Sequence, residues 1–347
     1  MQHFRLSFFV TLICIILSYL WAGVYGVFIT AILGVLEVSL SFDNAVVNAS
    51  ILKRMDDKWQ QYFLTWGILV AVFGMRLLFP IVIVAVATGI SFAGVTDMAL
   101  NDTETYAQHL MASHIQIAAF GGMFLLMVFF SFIFDEGKDI HWLGDIEEKL
   151  ASWGKLEAIE VIVALSLLLI VQGLLPENVR LEALVAGVFG VILFVVVDSL
   201  AALFEDGEEG DAVSGLVKKA GMMSFIYLEV LDASFSFDGV IGAFAITQDV
   251  VIIMLGLAMG AMFVRSLTVY LVRQGTLDEY IFLEHGAHYA IGILAVIMLI
   301  SMTVHVSEVI TGLAGALLIA LSVYSSIQYK KDNETDSANK FKANTFK

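Results

Sequence analysis

The sequence predicts an all-α polytopic membrane protein with about ten transmembrane helices, arranged as a 5+5 inverted repeat. Three observations support this: the composition, the recurrence of long apolar runs, and an acidic motif that occurs twice. Of the 347 residues, 59% are hydrophobic and 15% charged. That balance is too apolar for a soluble domain of this length.

Apolar runs long enough to cross a bilayer, about 20 residues each, recur ten times along the chain. The first follows Arg5, and we interpret it as a retained helix because the residues after it form only a weak signal-cleavage site. The runs lie near residues 6–20, 25–49, 61–90, 112–134, 157–175, 180–204, 221–247, 250–271, 286–304 and 306–327.

The distribution of charge predicts the orientation of the chain. With the N-terminus in the cytoplasm, fifteen of the 18 Lys and Arg residues fall on the cytoplasmic side of ten spans, as the positive-inside rule requires. We therefore expect a bacterial inner (plasma) membrane protein with both termini cytoplasmic. The net charge of −16 excludes nucleic acid as a partner. We expect the lipid bilayer to surround the chain, and the sequence does not indicate a protein partner.

The loops divide the chain into two halves and a tail. Residues 1–175 form the first five-helix half, with a cytoplasmic loop at 135–156 that suits a short amphipathic segment. Residues 176–329 form the second half, with an acidic, Gly-rich linker at 205–217. Residues 330–347 are polar, which predicts a disordered cytoplasmic tail.

A motif of the form acid-x-Ser-x-Ser-Phe-Asp occurs at 37–43 and again at 232–238, each time inside an apolar run. The next helix of each copy carries the pattern Gly-x8-Arg, which ends at Arg76 and at Arg265. The two copies begin five spans apart, so they have opposite orientations. This is the inverted repeat of secondary transporters, which place their site near the bilayer midplane. The flanking serines, with Asn44 and Gly239, predict a local break in each motif helix.

Carboxylates are costly inside a membrane and mark functional sites there. The motif helices offer a set of oxygen ligands that suits a hard divalent cation such as Mn²⁺, Mg²⁺ or Ca²⁺. The candidate metal ligands are Glu37, Ser41, Asp43, Asn44, Glu229, Asp232, Ser236 and Asp238. Arg76 and Arg265 are candidate charge-balancing residues, and the candidate gate residues are His114, Glu284 and His288.

Both motifs resemble the signature of the TerC family, named for tellurium resistance. The chain is similar to the longer branch of that family, classed as a domain of unknown function, over about residues 20–325. The resemblance implies an inner-membrane protein whose relatives export manganese. It also implies metal ligation by the motif residues Glu37, Asp43, Asn44, Asp232 and Asp238. The chain departs from the pattern at Gly239, where the first copy has Asn44.

The sequence therefore predicts a secondary transporter that exports a divalent cation, with Mn²⁺ favoured, and not an enzyme. No cofactor is expected beyond the transported ion, and no nucleotide-binding loop is present in the sequence. Two alternatives stay open. The chain could be a non-transporting metal sensor or stress-complex scaffold of the tellurium-resistance type. It could also export an anion or amino acid that Arg76 and Arg265 bind.

Overall fold

A computed structural model describes residues 4–53, 55–205, 213–275, 279–304 and 306–345. The part of the chain it describes is helical and contains no strand. The helices are α1 (Arg5–Leu40), α2 (Phe42–Lys53), α3 (Asp57–Leu69), a π-helix (Val70–Leu78), α4 (Phe79–Thr88), α5 (Phe92–Asn101), α6 (Thr103–Ala112), α7 (His114–Ile133), α8 (Asp145–Ser152), a 3₁₀ turn (Trp153–Lys155), α9 (Ile159–Gly173), α10 (Glu177–Glu205), α11 (Val213–Ile246), α12 (Val250–Gln274), α13 (Leu283–Ser301) and α14 (Glu308–Thr345).

Six stretches of the described chain are long and apolar enough to cross a membrane. They are Arg5–Ser39, His114–Ile133, Glu177–Leu200, Val250–Gln274, Leu283–Ser301 and Ile310–Lys331. A seventh is formed if Asp145–Lys155 and Ile159–Gly173, which meet at a bend of 102°, count as one broken span. The all-helical, multi-spanning class is thus confirmed, while the number ten and the 5+5 arrangement stay predictions.

α1 is a helical hairpin. Ala22 and Gly23 leave helical geometry, and Gly23 has a φ of 62°, which glycine adopts without strain. The hydroxyls of Ser18 and Thr30 lie 2.7 Å apart, whereas twelve residues of a straight helix would separate them by about 18 Å. The chain therefore reverses at Ala22–Gly23, in agreement with the separate runs predicted at 6–20 and 25–49.

Both arms of this hairpin pack along α12. On the first arm, Ser7 donates a hydrogen bond to the carbonyl of Met262 at 2.8 Å. On the second arm, Leu33 lies so close to Gly256 that a Cβ there would overlap it. α12 is consequently buried along most of its length.

The break predicted in the first motif helix is present. The prediction of a break in the second motif helix is wrong. α1 ends at Leu40, Ser41 has non-helical geometry, and α2 starts at Phe42. α11, by contrast, is helical throughout residues 236–239. A Cβ at Gly239 would overlap Oε2 of Glu37, so this glycine permits a close helix approach instead of a local unwinding.

The helical run predicted at 61–90 extends from Asp57 to Thr88 and contains the π-helix, which carries Arg76. This run packs against both α11 and α12, and α1 and α2 also pack against α12. Each motif-bearing segment therefore contacts the arginine-bearing helix of the other half, and Glu37 and Glu229 each pair with the arginine of their own half.

α7 lies at the centre of the bundle and packs against α10 and α13. Thirteen of its residues are buried, which fits a helix surrounded by apolar neighbours. Two of these are the adjacent glycines Gly121 and Gly122, which face Met298 and Leu299 of α13.

The loop predicted at 135–156 and the tail predicted after residue 329 both contain helix. α8 is the short segment predicted within 135–156, and its first turn is acidic. The tail predicted to be disordered after residue 329 continues α14 as far as Thr345. No Gly or Pro interrupts this segment, so its polarity alone does not end the helix. Residues 206–212 of the acidic linker lie outside the described chain.

Candidate functional site

The first ion pair of the bundle joins Arg76 to Glu37. Glu37 lies at the end of α1 and is 2% exposed. It also accepts a hydrogen bond of 3.3 Å from Oγ of Ser41, the residue at the helix break. Arg76 projects from the π-helix, where one extra residue per turn changes the direction of a side chain.

The second ion pair joins Arg265 of α12 to Glu229 of α11 at 3.1 Å, and both residues are buried. Arg265 also donates to the carbonyl of Phe63 on α3 at 2.7 Å. Its guanidinium lies over the Phe63 ring, 3.9 Å from the ring centre. The second arginine thus connects three helices, and its partner is one turn before the motif residue Asp232.

Glycines of each half make room for the ion pair of the other. Gly67 on α3 lies against Arg265 and Glu229, and a Cβ at this position would overlap both side chains. Gly260 on α12 lies in the same way against Glu37. The two pairs therefore have reciprocal surroundings, since each is packed against a glycine of the other half.

A small polar cavity lies between the two ion pairs. Its volume is about 10 Å³, which admits the centre of about one water molecule. Asn48 of α2 donates to Oδ1 of Asp232 across it at 3.4 Å. The cavity is lined by Ser41, Asn44, Asn48, Arg76, Asp232, Ala261, Val264, Arg265 and Thr268.

Two buried oxygens at this site have no hydrogen-bond partner among the described residues. They are Oδ1 of Asn48, on a side chain that lines the cavity, and Oε2 of Glu229, whose other oxygen binds Arg265. A buried acceptor without a partner costs about 1–3 kcal/mol. Both atoms are oxygens, the kind of ligand that hard divalent cations take.

The structure describes the side chains of five of the eight predicted metal ligands. Glu37 and Glu229 are paired with arginines, and Ser41, Asn44 and Asp232 line the cavity. The side chains of Asp43, Ser236 and Asp238 lie outside the described residues, although their backbones are helical. Among the side chains that are described, no group of three or more His, Cys, Asp or Glu could hold a metal ion.

The candidate gate residues lie away from this cavity. His114 is the first residue of α7, and its Nε2 lies 3.5 Å from the hydroxyl of Ser301. Glu284 and His288, at the start of α13, line a separate cavity of about 370 Å³. The ring of His288 stacks on Phe132 with centres 4.0 Å apart. The three residues thus occupy two different ends of the bundle.

A buried charge cluster that the sequence does not predict lies beside that second cavity. Glu147 of α8 is 0% exposed and accepts from Lys138 at 2.9 Å and from the Leu143 N–H at 3.2 Å. His285 lies 3.4 Å away. Burial raises the pKa of Glu147, but the hydrogen bonds from His285, Lys138 and Leu143 outweigh it and lower the pKa to about 2. Nothing in the sequence distinguishes Glu147 from its exposed neighbour Glu148.

The fold and this site define an all-helical membrane protein with two buried arginine–carboxylate pairs around a small polar cavity. The chain belongs to the family described as "Protein of unknown function (DUF475)", whose model matches residues 42–333. This is a family of unknown function, as the resemblance to the longer TerC branch predicted, but the TerC name itself does not appear in the match.

The chain is also similar to the "Uncharacterized membrane protein YceF" of Bacillus subtilis strain 168. The two are 26% identical over 193 aligned residues, which cover 45% of this chain and 74% of the relative. No solved structure matches the chain.

Proposed function

We propose that this protein is a secondary transporter that exports a divalent metal cation, with Mn²⁺ as the favoured substrate. The observation that carries the proposal is the buried cavity at Asp232 and Asn48, with the orphaned oxygens of Asn48 and Glu229 at the site. Such oxygens are stabilised when a hard cation binds them, and they are costly to bury otherwise.

The charges of the site support a cationic substrate. Arg76 is balanced by Glu37, and Arg265 by Glu229. Asp232 then leaves a negative charge on the described lining of the cavity. The motif aspartates Asp43 and Asp238 add two more acids to the same pair of helices.

In this proposal Arg76 and Arg265 remain paired with Glu37 and Glu229 while no cation is bound. A cation that binds near Asp232 competes with each guanidinium for its glutamate, because a carboxylate shared between two cations binds each less tightly. The ion pairs thus stabilise a closed site without a substrate. When the glutamates exchange their arginine partners for the cation, the site would open to one side of the membrane.

The reciprocal packing supports the finer architecture of ten helices in two inverted halves. Each half supplies a motif segment, an arginine and a glycine that faces the ion pair of the other half. Two inverted halves around one site are the arrangement that allows alternating access. The TerC resemblance supports manganese as the substrate, and it supports an inner membrane location with cytoplasmic termini.

Flux of Mn²⁺ into proteoliposomes tests the proposal. We expect uptake with the native chain, and a loss of roughly tenfold or more in Asp232→Asn, Asp43→Asn and Asp238→Asn, as for the loss of a ligating group. Asp198→Asn, an exposed carboxylate of α10, is the matched control and should transport normally. Normal flux in all three site variants would contradict the proposal. So would an absence of flux despite Mn²⁺ binding, which the sensor or scaffold alternative predicts.

One observation favours a second candidate, an exporter of anions or amino acids, because both Arg76 and Arg265 line the cavity. Arg76→Lys and Arg265→Lys distinguish the two. Lysine retains the charge but loses the planar donors that bind a carboxylate in two places. An anion exporter should therefore lose flux in both variants, whereas a cation exporter that uses the arginines only for charge balance should retain most of it.

A further inference from the structure

A long apolar groove runs along the outside of the bundle and shares no lining residue with the polar cavity. α4 and α10 form its walls, the start of α7 forms its floor, and its volume is about 900 Å³. The wall residues are unusually exposed for large apolar side chains: Val86 is 80% exposed, Leu181 71% and Phe189 59%. The groove therefore opens sideways, towards the lipid.

The groove has the length of a lipid chain. Its lining on α10 extends from Leu181 to Val196, which is about 23 Å at 1.5 Å per residue. One leaflet of a bilayer contributes about 15 Å of hydrocarbon, half of the usual 30 Å. An acyl chain that starts at the membrane surface can thus lie in the groove along its whole extent.

Polar side chains line only one end of the groove. Gln116, near the start of α7, donates to Oε2 of Glu182, near the start of α10, at 2.5 Å. Oε1 of Gln116 is buried and has no partner among the described residues. Ser113 also lines this end, but its hydroxyl donates to the carbonyl of His109 at 2.9 Å. Both spans begin here, so these groups lie at the level of the headgroups.

This end offers acceptors and negative charge. Among the described residues, Glu182 forms no ion pair. The nearest cation in sequence, Arg180, donates instead to the carbonyls of Leu175 and Gly173, at 2.7 and 3.2 Å. A ligand that fits therefore carries hydrogen-bond donors and a positive charge. An ethanolamine ammonium has both, whereas a choline headgroup has the charge but no donor.

We propose that the groove is a binding site for phosphatidylethanolamine, with one acyl chain along α10 and the ammonium on Glu182 and Gln116. The apolar walls bind the chain, and the unpartnered oxygen of Gln116 together with the Glu182 carboxylate selects the headgroup. The proposal does not depend on the transported substrate, since no residue of the polar cavity takes part in it.

Native mass spectrometry of the purified chain tests the proposal with an equimolar mixture of phosphatidylethanolamine and phosphatidylcholine of identical acyl chains. We expect roughly tenfold more bound phosphatidylethanolamine, as for one charge-assisted contact. Glu182→Gln and Gln116→Leu should reduce this preference to less than about twofold. Glu177→Gln, in the first turn of α10 and outside the groove, should leave it unchanged.

A second pair of variants tests the apolar part. Val185→Trp fills the groove and should reduce bound phosphatidylethanolamine, whereas Val195→Trp, an exposed valine on the same helix outside the groove, should not. Equal retention of the two lipids by the native chain would overturn the headgroup assignment. A dimer that Val185→Trp dissociates would overturn the lipid assignment, because a second copy of the chain would then cover the groove.

Discussion

Two arginines and two glutamates lie inside a bundle where an unpaired charge is costly. Each arginine has a glutamate partner: Arg76 has Glu37, and Arg265 has Glu229. The sequence shows that the buried arginines need carboxylates. It does not show that Arg265 takes Glu229 in preference to Asp232, because the two acids are three residues apart and share one face of α11.

Each residue of the second ion pair should stabilise the fold only while its partner is present. Arg265→Leu leaves Glu229 buried without a counter-charge, and we expect a loss of about 3–5 kcal/mol of stability. The double variant Glu229→Leu, Arg265→Leu should recover most of that loss, because apolar side chains replace a buried pair at little cost. Thermal unfolding in detergent measures both. A double variant that is no more stable than Arg265→Leu would contradict the pairing.

The attachment of α8 through Glu147 should depend on pH. Because the pKa of Glu147 is lowered from 4.5 to about 2, the attachment is at full strength above pH 4.5. It weakens as the pH falls from there towards 2. Glu147→Gln should have the weakened attachment at pH 7. Hydrogen exchange of residues 145–152 measures this, with the exposed Glu148→Gln as the control. Equal protection in Glu147→Gln and the native chain at pH 7 would contradict the assignment.

The sequence predicts the helices better than their irregularities. The break at Ser41 follows from polar residues inside an apolar run, and the turn at Gly23 lies between the two runs predicted at 6–20 and 25–49. The π-helix around Arg76 does not, because an i to i+5 hydrogen-bond pattern leaves no trace in the hydrophobic periodicity. A glycine such as Gly239 is compatible either with a helix break or with a close contact between helices. The position of Glu37 beside it shows that the glycine permits a close contact.

The hairpin of α1 should depend on Gly23. Alanine at a φ of 62° and a ψ of −150° costs about 1–3 kcal/mol, because essentially only glycine adopts this region of backbone geometry. Asparagine is tolerated at positive φ mainly in the left-handed helical region, which a ψ of −150° excludes, so Gly23→Asn should lose about as much stability as Gly23→Ala. Gly173→Ala is the control, since a Cβ there meets nothing within 4 Å. Thermal unfolding ranks the three variants. A neutral Gly23→Ala would show that the hairpin does not need the glycine.

The described helices establish the class of fold of the whole chain, and the charge pattern predicts its orientation. We predict that Asp102 lies outside the cell and Lys58 in the cytoplasm. Both side chains are exposed, and the predicted helix at 61–90 lies between them. Cysteines introduced as Asp102→Cys and Lys58→Cys, in a Cys14→Ser background, can be labelled with a membrane-impermeant reagent. Labelling of both from the same side would contradict the inverted repeat.

We propose that the two halves build one shared cation site. A lone helix offers too few oxygens for a hard dication, which needs about six. Titration of the purified protein with Mn²⁺, followed by electron paramagnetic resonance, counts the bound ions directly. We predict one tightly bound Mn²⁺ per chain, which Asp43→Asn and Asp238→Asn each abolish. Two bound ions, of which each variant removes only its own, would contradict a shared site, as would an absence of binding.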